Sequence, residues 1–310
     1  MTIVDKIKSV LRNPNYLILF FLHKFNRLFK NDKRYLQLCY KYERGGYLDL
    51  DNPKTFNEKI QWLKLYYHNP IMTKYVDKYE TKALIAKKIG DEHIIPTYGV
   101  WDKFEDINFD ILPSQFVLKT THGGGSLGVV VCTDKSTFDR ETAKKKLESS
   151  LVSDYYKYRE WAYKEVPRKI LAEKFMCDDS ENNRDGISDY KFYCYNGAPK
   201  FLYMSQGLEV HETARISFLT LDWQFAPFRR SDFRPFEQLP SKPKKFDEMI
   251  QICKKLSEGL PFVRVDLYEI NEMVYFSELT FYPCNGSMPF YPQEWDLKTG
   301  EMLTLPNKIV

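Results

Sequence analysis

Val263-Arg264-Val265-Asp266-Leu267-Tyr268 and, a few residues on, Phe276-Ser277-Glu278-Leu279-Thr280-Phe281 alternate apolar and polar residues with a period of two. Only Asn271-Glu272 between them signals a turn, so the pair reads as a β-hairpin. A two-residue loop by itself sets Asp266 and Glu278 on opposite faces, because side chains alternate strictly along a strand. An odd loop or a bulge sets them opposite each other, with Arg264 facing Thr280. In that case Arg264, Asp266 and Glu278 share one face while Val263, Val265, Leu267 and Leu279 pack into a core. Two carboxylates a strand-width apart suit a hard cation such as Mg²⁺, which takes oxygen ligands and accompanies nucleotide phosphates. A solvated polar face on an ordinary hairpin is the competing reading of this stretch alone.

The surrounding chain narrows the choice. Its 310 residues allow more than one packed subdomain, and 43% hydrophobic with 16% aromatic content indicates ordered globular structure. A net charge of +4 over this length, with no RNP, zinc-finger or arginine-rich segment, argues against nucleic acid as a partner. The six cysteines are scattered without a C-x-x-C pair or a histidine cluster, which points to reduced cytoplasmic thiols, not structural zinc. Near the start, Tyr16 to Leu22 is strongly apolar but far shorter than the roughly 20 residues of a membrane span. Lys24, Arg27, Lys30, Lys33 and Arg34 follow it, and no small-residue cleavage site ends the run. A helix packed on the body is the favoured reading, with a basic amphipathic helix in peripheral contact with the inner face of the membrane as the alternative.

Along the rest of the chain, helices are expected up to Gly45-Gly46, from Phe56 to Tyr67 and from Lys78 to Ile89. Strands are expected at Gln115–Thr121, Val129–Cys132 and Lys169–Met176. Two helices lie between the last two, near Arg140–Leu151 and, rich in aromatics, at Tyr155–Tyr163. Tyr190–Tyr195 and Pro199–Met204 pair through Asn196-Gly197, the strongest short hairpin signal. A further strand spans Arg215–Leu221, and a helix spans Phe246–Glu258. Separate helical and strand-rich regions indicate an α+β fold rather than a doubly wound sheet.

His122-Gly123-Gly124-Gly125-Ser126-Leu127-Gly128 contains a literal G-x-G-x-x-G. A strand follows it instead of a helix, which excludes a dinucleotide fingerprint, and no Gly-Lys-Ser/Thr of a Walker motif occurs. What remains is a hairpin whose side-chain-free tip can close over phosphate oxygens, with Lys119 as a point charge. In Ile170 to Met176 the backbone can pair with a flat base, and Glu173 can accept from ribose hydroxyls. Asp189-Tyr190-Lys191-Phe192 places a second lysine in the adjoining hairpin.

The order of these pieces resembles the ATP-grasp superfamily and, more narrowly, its TupA-like family from bacterial surface-polysaccharide clusters. The narrower resemblance rests on Asn52-Pro53-Lys54-Thr55-Phe56-Asn57-Glu58-Lys59-Ile60-Gln61-Trp62, Asp77-Lys78, Lys119-Thr120-Thr121-His122-Gly123-Gly124-Gly125, Asp189-Tyr190-Lys191-Phe192 and Glu278-Leu279-Thr280-Phe281-Tyr282-Pro283, across about residues 50–290. It implies an ATP-grasp fold with a helical extension at 1–50 and subdomains at 51–115, 116–175 (the glycine-hairpin lid) and 176–310 (the metal site). It implies ATP-dependent activation of a carboxylate as an acylphosphate, then attack by an amine. Lys119, Lys191 and Arg264 would act on the phosphoryl group. Gly123, Gly124, Gly125, Ser126, Glu173, Lys174, Phe175, Asp189 and the two lysines would bind ATP, and Asp266, Glu278 and Thr280 would hold Mg²⁺. The usual Glu-x-Asn is Glu278-x-Thr280 here, which leaves a second metal without its amide ligand. By the same resemblance the substrates are a uronic-acid-containing glycan or its lipid-linked precursor and an amino acid or amino sugar, in capsule, exopolysaccharide or O-antigen synthesis. A cluster of Trp223, Phe228, Arg229, Arg230 and Arg234 is read either as a sugar-stacking surface or as a solvated loop. A sugar kinase on the same fold and a nucleotide-sugar glycosyltransferase are the competing activities; Asp49-Leu50-Asp51 is the single literal D-x-D.

Overall fold

The computed structural model describes residues 15–124, 127–178, 186–207 and 213–310. The first three helices are α1 (Asn15–Lys24), α2 (Asp32–Arg44) and α3 (Phe56–Tyr66). Asn31 caps α2 by accepting from Arg34 N, and Gly45 closes it in the left-handed region at φ 76°. Thr55 and Glu58 cap α3 reciprocally, so the Thr-x-x-Glu spacing reads out as a full capping box. A short α4 (Ile71–Val76) and α5 (Glu80–Ile89) follow, with Asp77 Oδ1 accepting from the backbone N–H of Tyr79 and Glu80.

A four-stranded antiparallel sheet comes next, built from β1 (Thr97–Trp101), β2 (Phe116–Thr120), β3 (Val129–Cys132) and β4 (Ile170–Lys174) in the order β1-β4-β2-β3. Along β2 the burial alternates: Phe116, Leu118 and Thr120 are buried, with Phe116 and Leu118 in a small core shared with Ala143 and Leu147 of α6 (Arg140–Leu151). The other face of β2 carries Val117 and Lys119. The second sheet holds β5 (Asp189–Tyr195), β6 (Ala198–Gln206), β7 (Arg215–Thr220), β9 (Phe262–Ile270) and β10 (Met273–Thr280), in the order β10-β9-β5-β6-β7, all antiparallel. The short β8 (Arg229–Arg230) pairs with β11 (Phe290–Tyr291). Phe192, Val265 and Leu267 lie in the main core with Phe246, Met249 and Cys253 of α7 (Phe246–Ser257). That core also takes in Phe56 and Ile60 of α3 and extends to Leu303, beyond α8 (Glu294–Glu301).

The aromatic segment expected as one helix at 155–163 is two 3₁₀ turns, 155–158 and 161–163, separated by Arg159 at φ 58°. The break is set by tertiary bonds: the buried Arg159 guanidinium donates to Asp32, Asn26 and the Phe29 carbonyl. The six cysteines are all free thiols.

Candidate active site

Ile270 pairs with Met273 across a two-residue turn whose Asn271 and Glu272 both have positive φ, as a type I′ turn requires. That register alone would separate Asp266 from Glu278. The register slips by one between Phe276 and Glu278, and beyond the slip Glu278 pairs with Asp266 and Thr280 with Arg264. Ser277 is the extra residue of this bulge, and its hydroxyl donates to Tyr268 Oη at 3.0 Å. β5 lies on the other side of β9 with Lys191 opposite Asp266.

These registers assemble a dense polar cluster. Arg264 donates Nε to Asp266 Oδ1 (2.7 Å) and Nη2 to Asp266 Oδ2 (2.6 Å), a bidentate pair. Lys191 Nζ donates to Asp266 Oδ2 at 2.9 Å and lies 3.1 Å from Asp189 Oδ1. Arg264 Nη2 also donates to Thr280 Oγ1 (2.9 Å) and Glu278 Oε1 (3.4 Å). Asp266 is completely buried under this load, whereas the Glu278 side chain is 31% exposed. Burial opposes the charge on Lys191, but Asp189 and Asp266 outweigh it and raise its pKa. Burial raises the Asp189 carboxyl despite Lys191. For Glu278 burial pulls upward too, yet Lys78, Lys191 and Arg264 prevail and lower its pKa.

Facing this cluster is the polar side of the four-stranded sheet. The buried Glu173 carboxylate takes ion pairs from Lys82 and Lys119, each at 2.6 Å. Burial acts to raise Glu173, and the two ammonium groups overcome it and hold its pKa at about 2. Lys119 is raised in turn by Glu173 against its own desolvation. Lys78 joins the two sheets: its backbone N–H donates to Thr121 O (3.0 Å), its ammonium to Gly123 O, and Glu278 Oε2 lies 3.9 Å away. Burial lowers the pKa of Lys78 and of Lys82.

Between the sheets is a cavity of about 980 Å³, lined by Lys78, Lys82, Lys119, Glu173, Asp189, Lys191 and Glu278 at its polar end and by Ile94, Val130, Phe138 and Phe276 among its apolar residues. Clustered ammonium groups beside an apolar wall suit a polyphosphate attached to a flat, apolar group. Among the described residues no group of three or more His, Cys, Asp or Glu side chains converges for a metal. The facing carboxylates Asp266 and Glu278 are oxygen donors of the type Mg²⁺ takes, and of the two Glu278 lines the cavity while Asp266 gives both oxygens to Arg264 and Lys191.

The family model for TupA-like ATP-grasp proteins matches residues 58–304. The chain belongs to the TupA-like ATP-grasp family. No curated protein matches it. Among solved structures it is similar to D-alanine–D-alanine ligase from Bacillus anthracis, at 17% identity and a TM-score of 0.37 over 67% of this chain and 57% of that one. The enzyme of the same name from Helicobacter pylori gives 19% identity and a TM-score of 0.39 over 74% and 61%. The ATP-grasp ligase PsnB, complexed with its minimal precursor, Mg and ADP, gives 10% and 0.39 over 72% and 57%. The chain thus spans less than two thirds of the length of these structures, and the family assignment stands on the sequence match.

Of the residues singled out from the TupA-like ATP-grasp resemblance, Lys119, Glu173, Asp189, Lys191 and Glu278 line the one cavity, with Asp266, Arg264 and Thr280 joined to it by hydrogen bonds. Gly123 and Gly124 lie at the hairpin tip; Gly125 and Ser126 fall outside the described residues. Glu173 differs from its expected place as a free ribose acceptor, since two lysines already cover its carboxylate. Lys174 is exposed, and its backbone N–H is committed to Pro96 O at 2.9 Å; Phe175 is half-buried. Neither reading of the Trp223 and Phe228 cluster, as a sugar-stacking surface or as a solvated loop, fits the burial of these two rings. Both are core residues: Trp223 packs on Phe246 and donates Nε1–H to Pro240 O, and Phe228 stacks on Trp295. Lys78 and Lys82 are cavity cations to which the sequence alone assigned no role. Lys78 precedes α5 and Lys82 lies in its first turn, so the i,i+4 spacing of a single helix does not by itself bring them together.

Proposed function

We propose that the protein is an ATP-dependent carboxylate–amine ligase. Its carboxylate substrate takes the γ-phosphoryl group of ATP to give an acylphosphate, and an amine displaces phosphate to form the amide. The observation that carries this reading is the meeting of Lys78, Lys119 and Lys191 with Asp189 and Glu278 around one cavity between two sheets. Phosphoryl transfer is largely positioning and charge neutralisation, and these groups supply both. Lys119, Lys191 and Lys78 bind phosphate oxygens. Arg264, held by Asp266 and Thr280, stabilises the charge that develops on the transferring group. Asp266, Glu278 and the Thr280 hydroxyl would hold Mg²⁺, which neutralises phosphate charge when bound. The adenine would lie against the apolar wall beside Glu173, Lys174 and Phe175, under the hairpin that carries Gly123 and Gly124. The subdomains of this reading are 51–115, 116–175 and 176–310, behind an extension at 1–50 whose first fourteen residues lie outside the described residues.

Following the resemblance, the acid is a uronic acid of a surface glycan or its lipid-linked precursor and the amine an amino acid or amino sugar. Both serve bacterial capsule, exopolysaccharide or O-antigen synthesis in the cytoplasm, with α1 in peripheral contact with the membrane. The glycosyltransferase alternative is disfavoured by the place of its D-x-D. Asp49 accepts from the backbone N–H of Asp51 and Asn52, and Asp51 pairs with Lys33, all outside the cavity. The deciding experiment screens uronic acids against amino acids and amino sugars for ADP release, with hydroxylamine to trap an acylphosphate. Amine-dependent ADP release with a hydroxamate supports the ligase. A phosphorylated sugar without hydroxamate replaces it with the kinase.

A further inference from the structure

α1 is fastened to the body along one side only. Leu19 and Leu22 pack against the main core, and the His23 ring stands edge-on to Tyr158 with Nδ1 2.9 Å from Tyr35 Oη. Just beyond the helix, Asn26 is buried and accepts from Arg159 through both its side-chain and backbone oxygens, at 3.2 and 2.9 Å. The Arg159 guanidinium lies over the Tyr35 ring as well, 4.2 Å from its centroid. The helix is therefore held by a buried cation network, not merely laid against the surface.

The opposite side is apolar and exposed. Leu17, Ile18, Phe20, Phe21, Phe25 and Leu28 are between 38% and 77% exposed, and they recur at helical spacing around Lys24. Two of these rings flank the Lys24 ammonium, which stands 5.9 Å from the Phe20 centroid and 5.7 Å from that of Phe25. Lys24, Arg27 and Lys30 are exposed on the same segment, and no Asp or Glu occurs between 15 and 31. Among the described residues one acidic side chain pairs with this segment from outside it: Asp154 lies 3.6 Å from Arg27. Three adjacent large rings and two leucines facing water are costly for a free surface. Among the described residues no helix is long and apolar enough to cross a membrane.

We propose that the exposed side of α1 and the following turn docks the protein on an anionic lipid bilayer, with Phe20, Phe21, Phe25 and Leu28 entering the headgroup boundary and Lys24, Arg27 and Lys30 pairing with lipid phosphates. This surface rests on the membrane-contact reading given above and is independent of the reaction. Charge complementarity selects this occupant. A second copy meeting through the same side would oppose Lys24, Arg27 and Lys30 with their own counterparts, whereas anionic lipid attracts all three.

The test is co-sedimentation of the full chain with phosphatidylcholine vesicles and with phosphatidylcholine–phosphatidylglycerol vesicles. The unmodified protein should bind the anionic vesicles and release them in high salt. Phe21→Ser with Phe25→Ser, and separately Lys24→Glu with Lys30→Glu, should each weaken that binding by roughly tenfold or more. Both variants should keep the melting temperature, since neither pair makes a buried contact. Absence of binding to either vesicle overturns the proposal. So does a self-association that Phe21→Ser with Phe25→Ser abolishes in the absence of vesicle binding, which would assign the surface to a second copy. Vesicle binding without amine-dependent ADP release leaves the docking surface standing and removes the ligase; the reverse pattern removes the surface alone.

Discussion

Asp266 and Glu278 face each other across β9 and β10 because Ser277 is squeezed out of the ladder between them. The two carboxylates are paired in register but not in environment. Asp266 is fully buried and gives both oxygens to Arg264 and Lys191, while Glu278 stands at the cavity rim with Arg264 and Lys78 on either side. Residues that share one expected role therefore carry different structural loads.

Glu278→Gln should separate function from stability. It keeps the shape, removes one charge from a partly exposed position, and should change the melting temperature by only a few degrees. ATP turnover should fall by roughly a hundredfold or more, the scale of losing one charge-placing group in phosphoryl transfer. Asp266→Asn should also lose turnover, but at a structural cost. It removes the buried anion that Arg264 and Lys191 share, leaving them only Glu278 and Asp189, and should lower unfolding stability by up to about 3–5 kcal/mol. Urea unfolding of both variants beside steady-state ADP release checks the contrast. Undiminished turnover in Glu278→Gln would remove it from the metal site.

Lys78 links the segment before α5, the glycine hairpin and β10 through one side chain. Lys78→Met retains most of its packing volume and deletes the charge. The expected result is a KM for ATP raised by roughly tenfold or more, as for a lost charged contact to phosphate. Faster amide exchange at Thr121 to Gly124 should accompany it. A KM unchanged beside faster exchange would make Lys78 a tether for the hairpin and nothing more.

What was legible in the sequence follows from how local each determinant is. The alternation in 263–268 and 276–281 gave both strands, and Asn196-Gly197 gave the β5–β6 turn, with φ of 49° and 81°. The parity of Asp266 and Glu278 was left open, since Ser277 has no compositional mark of a bulge and Asn271-Glu272 by itself argues for the opposite register. Arg159 broke an expected helix for reasons that lie at Asn26, Phe29 and Asp32, far away in the chain. Trp223 and Phe228 misled for a similar reason: a Pro/Arg-rich segment reads as solvent-facing, and only the placement of α7 and α8 buries its rings. The lysines of the cavity were visible as residue types, but the covering of Glu173 by Lys82 required α5 to be set against β4.

Glu173 should leave a mark on acid unfolding. Its folded pKa of about 2 lies below the ordinary 4.5, so it contributes stability that is fully present above pH 4.5 and is lost as pH falls through about 2. Glu173→Gln removes that contribution and leaves Lys82 and Lys119 uncompensated, which should cost about 3–5 kcal/mol at neutral pH. In plots of unfolding free energy against pH, the wild type should fall more steeply than the variant between pH 4.5 and 2. Parallel curves in that window would show that the two lysines do not depend on the Glu173 charge.

The glycines of the hairpin are not equivalent. At Gly128 a Cβ would lie 2.1 Å from Thr120 Oγ1 and 2.4 Å from Ser150 Oγ, two hydroxyls that form a buried hydrogen bond of 2.8 Å joining β2 to α6. At Gly124 a Cβ meets nothing within 4 Å, and the backbone there does not have positive φ. Gly128→Ala should therefore break the Thr120–Ser150 bond or push α6 outward, at about 1–3 kcal/mol. Gly124→Ala should be neutral or slightly stabilising by restricting the unfolded chain, by up to ~1 kcal/mol. Thermal unfolding of the two variants measures the difference. If the glycine tip closes over phosphates by backbone approach, Gly124→Ala should weaken ATP binding while leaving stability intact, the reverse of the damage at Gly128, and equal ATP affinity in wild type and Gly124→Ala would deny the tip any contact at that residue.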